Sequence, residues 1–190
     1  MFWEPYDDQD GYKMWLSQNE VSNHLLPEAQ TDQQELAFLL GVRCGLRSDE
    51  IVRVCPEDAR NTDAGWMLRV DGAKGGKLRQ TPIPNMVAGM LRARTPKDEP
   101  IVDVTTRTLR NWVGDAGDRI AEQTGEEMWT HLSPHDLRRT WATSLEGADC
   151  NMYVVCDWGG WSNLDTFLNA YRGTNSPEVQ KDNRERVDWL

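Results

Sequence analysis

The sequence predicts a mainly α-helical domain with one small antiparallel β-sheet, an α+β fold. Apolar residues recur at helical spacing over most of the chain. Between about residues 59 and 83, two short runs instead flank a glycine-rich turn, as in a β-hairpin. The chain has 190 residues, of which 38% are hydrophobic and nine are tryptophan, so we expect one domain with a substantial core.

Start and stop signals predict three helices in the first part of the chain, after an aromatic and acidic lead-in at residues 1–16. The first begins at Ser17, where SQNE has the spacing of a capping box, and ends near Leu26 before a proline. The second begins at Thr31 and ends at Gly45, and the third is short and begins at Ser48. The apolar positions of the last two helices are Leu36, Leu39, Leu40, Val42, Ile51 and Val52.

The predicted hairpin consists of GWMLRV, the turn DGAKGG and KLRQTPIP. Helical patterns resume after it, and we expect helices over residues 84–92, 105–122, 134–146, 151–157, 163–171 and 177–189. The chain is thereby divided into the lead-in at 1–16, a main domain at 17–175 and a helical tail at 176–190.

Acidic residues outnumber basic ones by 31 to 21, which gives a formal net charge of -10 and a pI near 4.8. Lysine is scarce, since most of the 21 basic residues are arginine. Salt screens repulsion between like charges, so this surface is typical of a protein from a salt-saturated cytoplasm. We therefore expect a halophilic source, archaeal or viral. The same charge argues against a generic nucleic-acid binder, and any DNA contact requires a local positive patch.

The cysteines are expected to be reduced, because no two of the four have the CxxC spacing of a metal or redox site. No run of about 18 apolar residues is present, so no membrane span is predicted. The N-terminus lacks a basic segment followed by an apolar stretch. These features predict a cytoplasmic protein.

The stretch SPHDLRRTWATSLEGADC, residues 133–150, places basic groups together in this acidic chain. His135 and Arg138 are three residues apart, so on a helix they share one face. An imidazole and a guanidinium on one face are suited to binding an oxyanion. The alternative is a surface helix with an ordinary share of charge.

Four further stretches carry polar groups at turns or helix ends. They are GVRCGLRSDEI with Arg47, AKGGKLRQTPIP with Lys74, DWGGWSN with Trp161 and LDTFLNAYRG with Tyr171. Each also has a purely structural interpretation. The arginine can stabilise a helix C-terminus, the lysine can be solvated, and the two aromatic side chains can be packed.

Taken together and in this order, the five stretches resemble the catalytic domain of the tyrosine recombinases, the phage-integrase family. GLRSDEI is similar to the first arginine box of the family, and AKGGKLRQTPIP to its lysine-bearing hairpin. HDLRRTWAT is similar to the His-x-x-Arg box, and GGWSNLDTFLNAY to the segment that ends in the nucleophilic tyrosine. The resemblance covers about residues 17 to 173. It implies an enzyme that cleaves and rejoins DNA through a covalent 3′-phosphotyrosyl intermediate, without a metal or other cofactor.

The resemblance also implies roles for single residues. Tyr171 would attack the scissile phosphate, and Arg47 and Arg138 would hold its non-bridging oxygens. Lys74 would protonate the leaving 5′-oxygen, and His135 would assist proton transfer from the nucleophile. The further candidate for phosphate contact is Trp161, through its indole N–H, and the further candidates for DNA binding are Lys77, Arg79 and Arg139.

Two departures from the family pattern concern this site. Trp161 stands where most relatives have histidine, and an indole cannot transfer protons. Tyr171 follows Trp161 by ten residues, one more than the commonest spacing. The nearest competing tyrosine, Tyr153, precedes Trp161, and its apolar neighbours predict a packed, structural ring.

The expected partner is double-stranded DNA at a specific recombination site, with self-assembly of the protein into a tetramer on that DNA. The tail at 176–190 is expected to dock on a neighbouring subunit. Many relatives carry an N-terminal domain that clamps DNA, so a recombinase without that domain and a trimmed longer protein are both open. Two other functions are also open, a DNA-binding regulator that has lost cleavage and a DNA-relaxing enzyme similar to type IB topoisomerases.

Overall fold

Helices supply most of the structure, a computed structural model that describes residues 1–6, 9–71, 78–148, 150–171, 181 and 184–185, with the side chains of 169–171 outside the description. The helices are α1 (Gln18–Glu20), α2 (Asp32–Val42), α3 (Ser48–Ile51), α4 (Asn85–Arg92), α5 (Thr106–Thr124), α6 (Pro134–Gly147), α7 (Met152–Gly159) and α8 (Leu164–Tyr171). The predicted helices up to residue 171 are confirmed, with ends shifted by a few residues. The predicted helix at 177–189 lies almost entirely outside the described residues.

Side-chain caps begin the helices where the sequence predicts them. The hydroxyl of Thr31 accepts from the backbone of Gln34 at the start of α2, and Thr105 caps α5 in the same way. The capping box of Ser17 and Glu20 is present. The helix that follows it is interrupted, because α1 continues into a π-helical turn at Val21–Leu25 and a 3₁₀ turn at Leu26–Glu28. Proline at position 27 lacks the N–H that a regular α-helix would need there.

The predicted hairpin is part of a three-stranded antiparallel sheet. The strands are β3 (Ala59–Thr62), β4 (Gly65–Val70) and β5 (Arg79–Pro82), in the order β3–β4–β5. In the hairpin Val70 is paired with Arg79 and Met67 with Pro82. The added strand β3 reaches β4 through a tight turn in which Gly65 has a φ of 90°. The tip of the hairpin, residues 72–77, lies outside the described residues.

The lead-in forms a second antiparallel hairpin, for which the sequence analysis predicted no element. Its strands are β1 (Phe2–Pro5) and β2 (Tyr12–Trp15). This hairpin packs on α6 through backbone hydrogen bonds. The N–H of Met14 donates to Asp136 over 3.0 Å, and the N–H of Leu16 donates to the hydroxyl of Thr140 over 3.0 Å. The lead-in is therefore packed against the helix that carries the His-x-x-Arg box.

Helix α2 is buried along most of its length and lies between two parts of the core. One part packs α2 against the sheet and α4, and the other packs α2 against α5, α6 and the lead-in hairpin. The crossing with α6 is close, since a Cβ on Gly41 would lie 3.1 Å from the Leu137 side chain. A third group of buried aromatic side chains joins α6, α7 and α8. Burying each large apolar side chain is worth about 2 kcal/mol, so this core holds the end of α2 next to the start of α6.

No helix in the described part of the chain is long and apolar enough to cross a membrane.

Candidate active site

A cleft of about 240 Å³ opens where the starts of α3, α5 and α6 meet. The residues that line it are Arg47, Ser48, Asp49, Thr106, Arg110, Pro134, His135 and Arg138. Three of these are the arginines and histidine that the sequence singled out, and they come from segments almost 90 residues apart. The fold therefore brings the two arginine boxes into one site.

Arg138 is the most enclosed member of the site, with none of its surface exposed. Its guanidinium donates to the backbone carbonyls of Gly45 and Gly159, the latter over 2.6 Å. It also lies over the ring of Trp161, 4.4 Å from the ring centroid. These contacts come from three different segments, so they hold the guanidinium in one position at the wall of the cleft.

Trp161 is packed among aromatic side chains, and two glycines leave the space that this packing needs. Its ring stacks on Trp141 at a centroid distance of 6.0 Å and meets the edge of Phe167 at 4.8 Å. A Cβ on Gly159 would lie 1.9 Å from the Trp161 ring, and one on Gly45 would lie 2.2 Å from Trp141. The glycines of GLR and GGW are thus required by the close packing beneath Arg138.

Arg47 is at the mouth of the cleft and is more accessible than Arg138, with 38% of its side chain exposed. Its backbone N–H donates to Glu50 over 2.7 Å, and its guanidinium donates to the same carboxylate over 3.0 Å. Burial raises the pKa of Glu50, but hydrogen bonds and charge from Arg79, with a smaller contribution from Arg47, outweigh it and hold that pKa below its usual value. Glu50 is therefore ionised and orients Arg47.

His135 lies in the first turn of α6 and lines the cleft. Partial burial and the positive charges of Arg139, Arg138 and Arg47 lower the pKa of His135 to about 4. The residue as a whole is exposed, so we take the three guanidinium groups as the decisive cause of the shift. The imidazole is therefore neutral at pH 7 and has a nitrogen that can accept a proton.

Two of the predicted DNA-contacting arginines are inside the protein. The Arg79 side chain is 7% exposed, with hydrogen bonds to Glu50 and to the carbonyl of Trp158. The Arg139 side chain is 4% exposed, with hydrogen bonds to Asp136 and to the hydroxyl of Tyr6. Their guanidinium groups are occupied by these partners, so the prediction that they contact DNA is replaced by a structural role.

Of the other predicted site residues, the structure describes the backbone of one and neither of the two lysines. Lys74 and Lys77 lie outside the described residues. Tyr171 is the last residue of α8, and its side chain is also outside the description. The competing tyrosine, Tyr153, is at the start of α7 and is 70% exposed, so the prediction of a packed ring at this position was wrong.

Arg110 also lines the cleft, although it was not predicted from the sequence as a site residue. It is an exposed residue of α5 and lines the cleft together with Thr106, one helical turn earlier. The sequence contains a signal for this residue. The cap at Thr105 marks the start of α5, and residues 106 and 110, four apart on that helix, share one face. The apolar residues of α5, from which the helix was predicted, lie on a different face.

The cleft has the chemistry of a phosphate-binding site, since guanidinium groups converge on it beside a neutral imidazole. A family model described as "Phage integrase family" matches residues 15–177. The chain therefore belongs to the phage integrase family, as the resemblance in the sequence indicated.

Individual relatives agree with this assignment. The chain is 30% identical over 146 residues to "Tyrosine recombinase XerA" of Pyrococcus furiosus, covering 70% of this chain and 48% of that protein. It is 33% identical over 148 residues to "Tyrosine recombinase XerC" of Chromohalobacter salexigens, covering 74% of this chain and 47% of that protein. The chain thus spans about half the length of the curated relatives it matches.

Solved structures share the fold. A crystal structure of XerA recombinase superposes with a TM-score of 0.71 at 19% identity, covering 92% of this chain and 65% of that one. The catalytic domain of bacteriophage HP1 integrase gives a TM-score of 0.62 at 17% identity, covering 90% of this chain and 93% of that one. The predicted fold class, mainly helical with small antiparallel sheets, is confirmed.

Proposed function

We propose that this chain is the catalytic part of a site-specific DNA recombinase that acts through a covalent 3′-phosphotyrosyl intermediate. The observation that carries the proposal is the convergence of Arg47, His135 and Arg138 on one cleft, with Trp161 packed beneath Arg138. Membership of the phage integrase family supports the same reaction.

In the proposed reaction the phenolic oxygen of Tyr171 attacks the phosphorus and the bond to the 5′-oxygen breaks. The phenolic proton passes to the neutral imidazole of His135, and Lys74 gives a proton to the leaving 5′-oxygen. Attack by a 5′-hydroxyl on the phosphotyrosine then reverses these steps and joins a strand. Arg47 and Arg138 neutralise the charge that builds up on the non-bridging oxygens.

Three further groups complete the proposed contacts with DNA. Trp161 donates its indole N–H towards the phosphate, and Arg110, which lines the same cleft, contacts the DNA backbone there. Lys77 keeps its predicted role at the tip of the lysine-bearing hairpin. We propose that no metal or other cofactor is used, because guanidinium and ammonium groups can supply the positive charge that a metal ion would otherwise bring.

The proposed partner is double-stranded DNA with a specific recombination site, bound by a tetramer of the protein. The tail at 176–190 would dock on a neighbouring subunit during assembly. Structures of related fold support a DNA substrate, for example the XerH recombinase "bound to palindromic difH substrate". The acidic, lysine-poor composition supports a halophilic source, archaeal or viral.

The proposal is tested on a nicked DNA suicide substrate, on which a covalent adduct accumulates. We expect the wild-type chain to form the adduct in excess EDTA. Tyr171→Phe should form none while it still binds the DNA, because a phenyl ring has no nucleophilic oxygen. Tyr153→Phe is the matched control and should keep the adduct.

Each other outcome would point to a different function or residue. An adduct that survives in Tyr171→Phe, or that peptide mass places on Tyr153, would overturn the choice of nucleophile. DNA binding by the wild-type chain without any adduct would favour the regulator. Relaxation of a plasmid that lacks a specific site would favour the topoisomerase-like enzyme, and loss of the adduct in EDTA would contradict a metal-independent reaction.

A further inference from the structure

We propose that Arg79 is a positioning residue that couples Arg47 to the turn before Trp161. Arg79 begins strand β5, and its side chain joins this strand to α3 and to the end of α7. These are the segments next to Arg47 and Trp161. The inference rests on the proposed function and concerns the same active site.

The first half of the coupling is the pair between Arg79 and Glu50. The two terminal guanidinium nitrogens donate to the two carboxylate oxygens over 2.7 and 2.9 Å, which is a bidentate arrangement. Both side chains are buried, with exposed fractions of 7% and 3%. The same carboxylate orients Arg47 through two hydrogen bonds. The position of Glu50, and with it that of Arg47, therefore depends on Arg79.

The second half is the contact with the end of α7. The Nε of Arg79 donates to the carbonyl of Trp158 over 2.8 Å, while Arg138 donates to the next carbonyl, that of Gly159. The last carbonyls of a helix have no partner within it, and a nearby cation is favourable there. Two arginines from different elements thus hold successive carbonyls just before Trp161.

The backbone of this turn is adapted to Arg79. Gly160 has a φ of 68°, a conformation that side chains disfavour, and a Cβ at this position would lie 2.7 Å from Cδ of Arg79. Glycine is therefore required at position 160, because any larger residue would collide with the Arg79 side chain. Nε and both terminal nitrogens of Arg79 donate hydrogen bonds within the protein. These bonds offset the cost of burying a charged side chain.

Arg79→Lys is the test variant, because lysine keeps the charge but cannot make the bidentate pair and the Trp158 contact together. We expect the rate of adduct formation at saturating DNA to fall by about tenfold or more, because small displacements of catalytic groups cost about that much. The dissociation constant for DNA should change less than about threefold. The matched control is Arg69→Lys, an arginine of the neighbouring strand that pairs with Asp58 and Asp71, and it should cleave at the wild-type rate.

Coupling is measured by combining Arg79→Lys with Arg47→Lys. If Arg79 acts through Arg47, the double variant should cleave little more slowly than Arg47→Lys alone. Losses that multiply would overturn the coupling. Cleavage by Arg79→Lys at the wild-type rate, or an equal loss of DNA binding and cleavage, would also overturn it.

A second variant covers the case in which the first does not fold. If Arg79→Lys does not fold, as shown by denaturant unfolding, Arg79→Gln is the second variant, because it removes the bidentate pair and leaves Glu50 and Arg47 unchanged in sequence. Its cleavage at the wild-type rate would overturn the proposal, and slow cleavage with intact DNA binding would support it. Failure of the proposed function is recognised separately, because the wild-type chain would then form no adduct.

Discussion

At the residue scale, His135 lies among the positive charges of three arginines, and this determines its protonation. The lowered pKa, to about 4, follows from partial burial and from Arg139, Arg138 and Arg47. An ordinary histidine side chain has a pKa near 6.5. His135 is consequently neutral at pH 7, which is the protonation state that the proposed reaction requires of it.

We predict that His135 stays neutral down to about pH 5. The measurement is an NMR titration of the His135 imidazole. Arg47→Ala should move the His135 midpoint upward, because one positive neighbour is removed. A wild-type midpoint near 6.5 would contradict the predicted environment.

The same shift makes a prediction for stability. The unfolded chain takes up a proton at His135 as the pH falls through about 6.5, whereas the folded chain does so only near pH 4. The free energy of unfolding should therefore decrease as the pH falls through this window. This part of the pH dependence should be absent in His135→Asn.

At the scale of elements, α6 connects the cleft to the lead-in hairpin. Its first turns present His135 and Arg138 to the cleft, while the intervening Asp136 faces the hairpin. Asp136 is completely buried and accepts from the backbone of Met14, from Ser133 and from Arg139. The position of the catalytic turn is therefore linked to β1 and β2.

We predict that Asp136→Ala lowers the free energy of unfolding by about 3 kcal/mol, because it leaves a buried guanidinium without its carboxylate. Denaturant unfolding provides the measurement. Asp118→Ala, on the exposed face of α5, is the matched control and should change stability by less than about 0.5 kcal/mol. A loss below about 1 kcal/mol in Asp136→Ala would show that the hairpin does not depend on this carboxylate.

At the scale of the whole molecule, a net charge of -10 acts against folding through repulsion among the acidic side chains. Salt weakens this repulsion, since the screening length falls from about 10 Å at 0.1 M to about 3 Å at 1 M. The cleft has the opposite local sign. Salt should therefore stabilise the fold and at the same time weaken the contacts with DNA.

We predict that the thermal unfolding midpoint rises between about 0.1 M and 2 M KCl and that the covalent adduct still forms at molar salt. Sucrose at matched osmolality is the control, because it strengthens burial without screening charge. Protein that unfolds or aggregates at molar salt, with DNA binding only at very low salt, would contradict the halophilic source.

The sequence by itself determined the features that depend on local interactions. The caps at Ser17, Thr31 and Thr105 begin helices because each side chain bonds to a backbone group three residues later. The hairpin of β4 and β5 was predicted from the glycine-rich sequence DGAKGG between two strand-like runs. The order of the motifs along the chain was sufficient to indicate the family.

Only the tertiary structure decided which basic side chains face the cleft. In the sequence Arg79 and Arg139 are as basic as Arg47, but Arg79 pairs with Glu50, 29 residues away, and Arg139 with Tyr6, 133 residues away. Arg110 reaches the cleft through the packing of α5 beside α6. The exposure of a side chain is set by contacts between segments distant in sequence, and spacing along one segment contains no information about them.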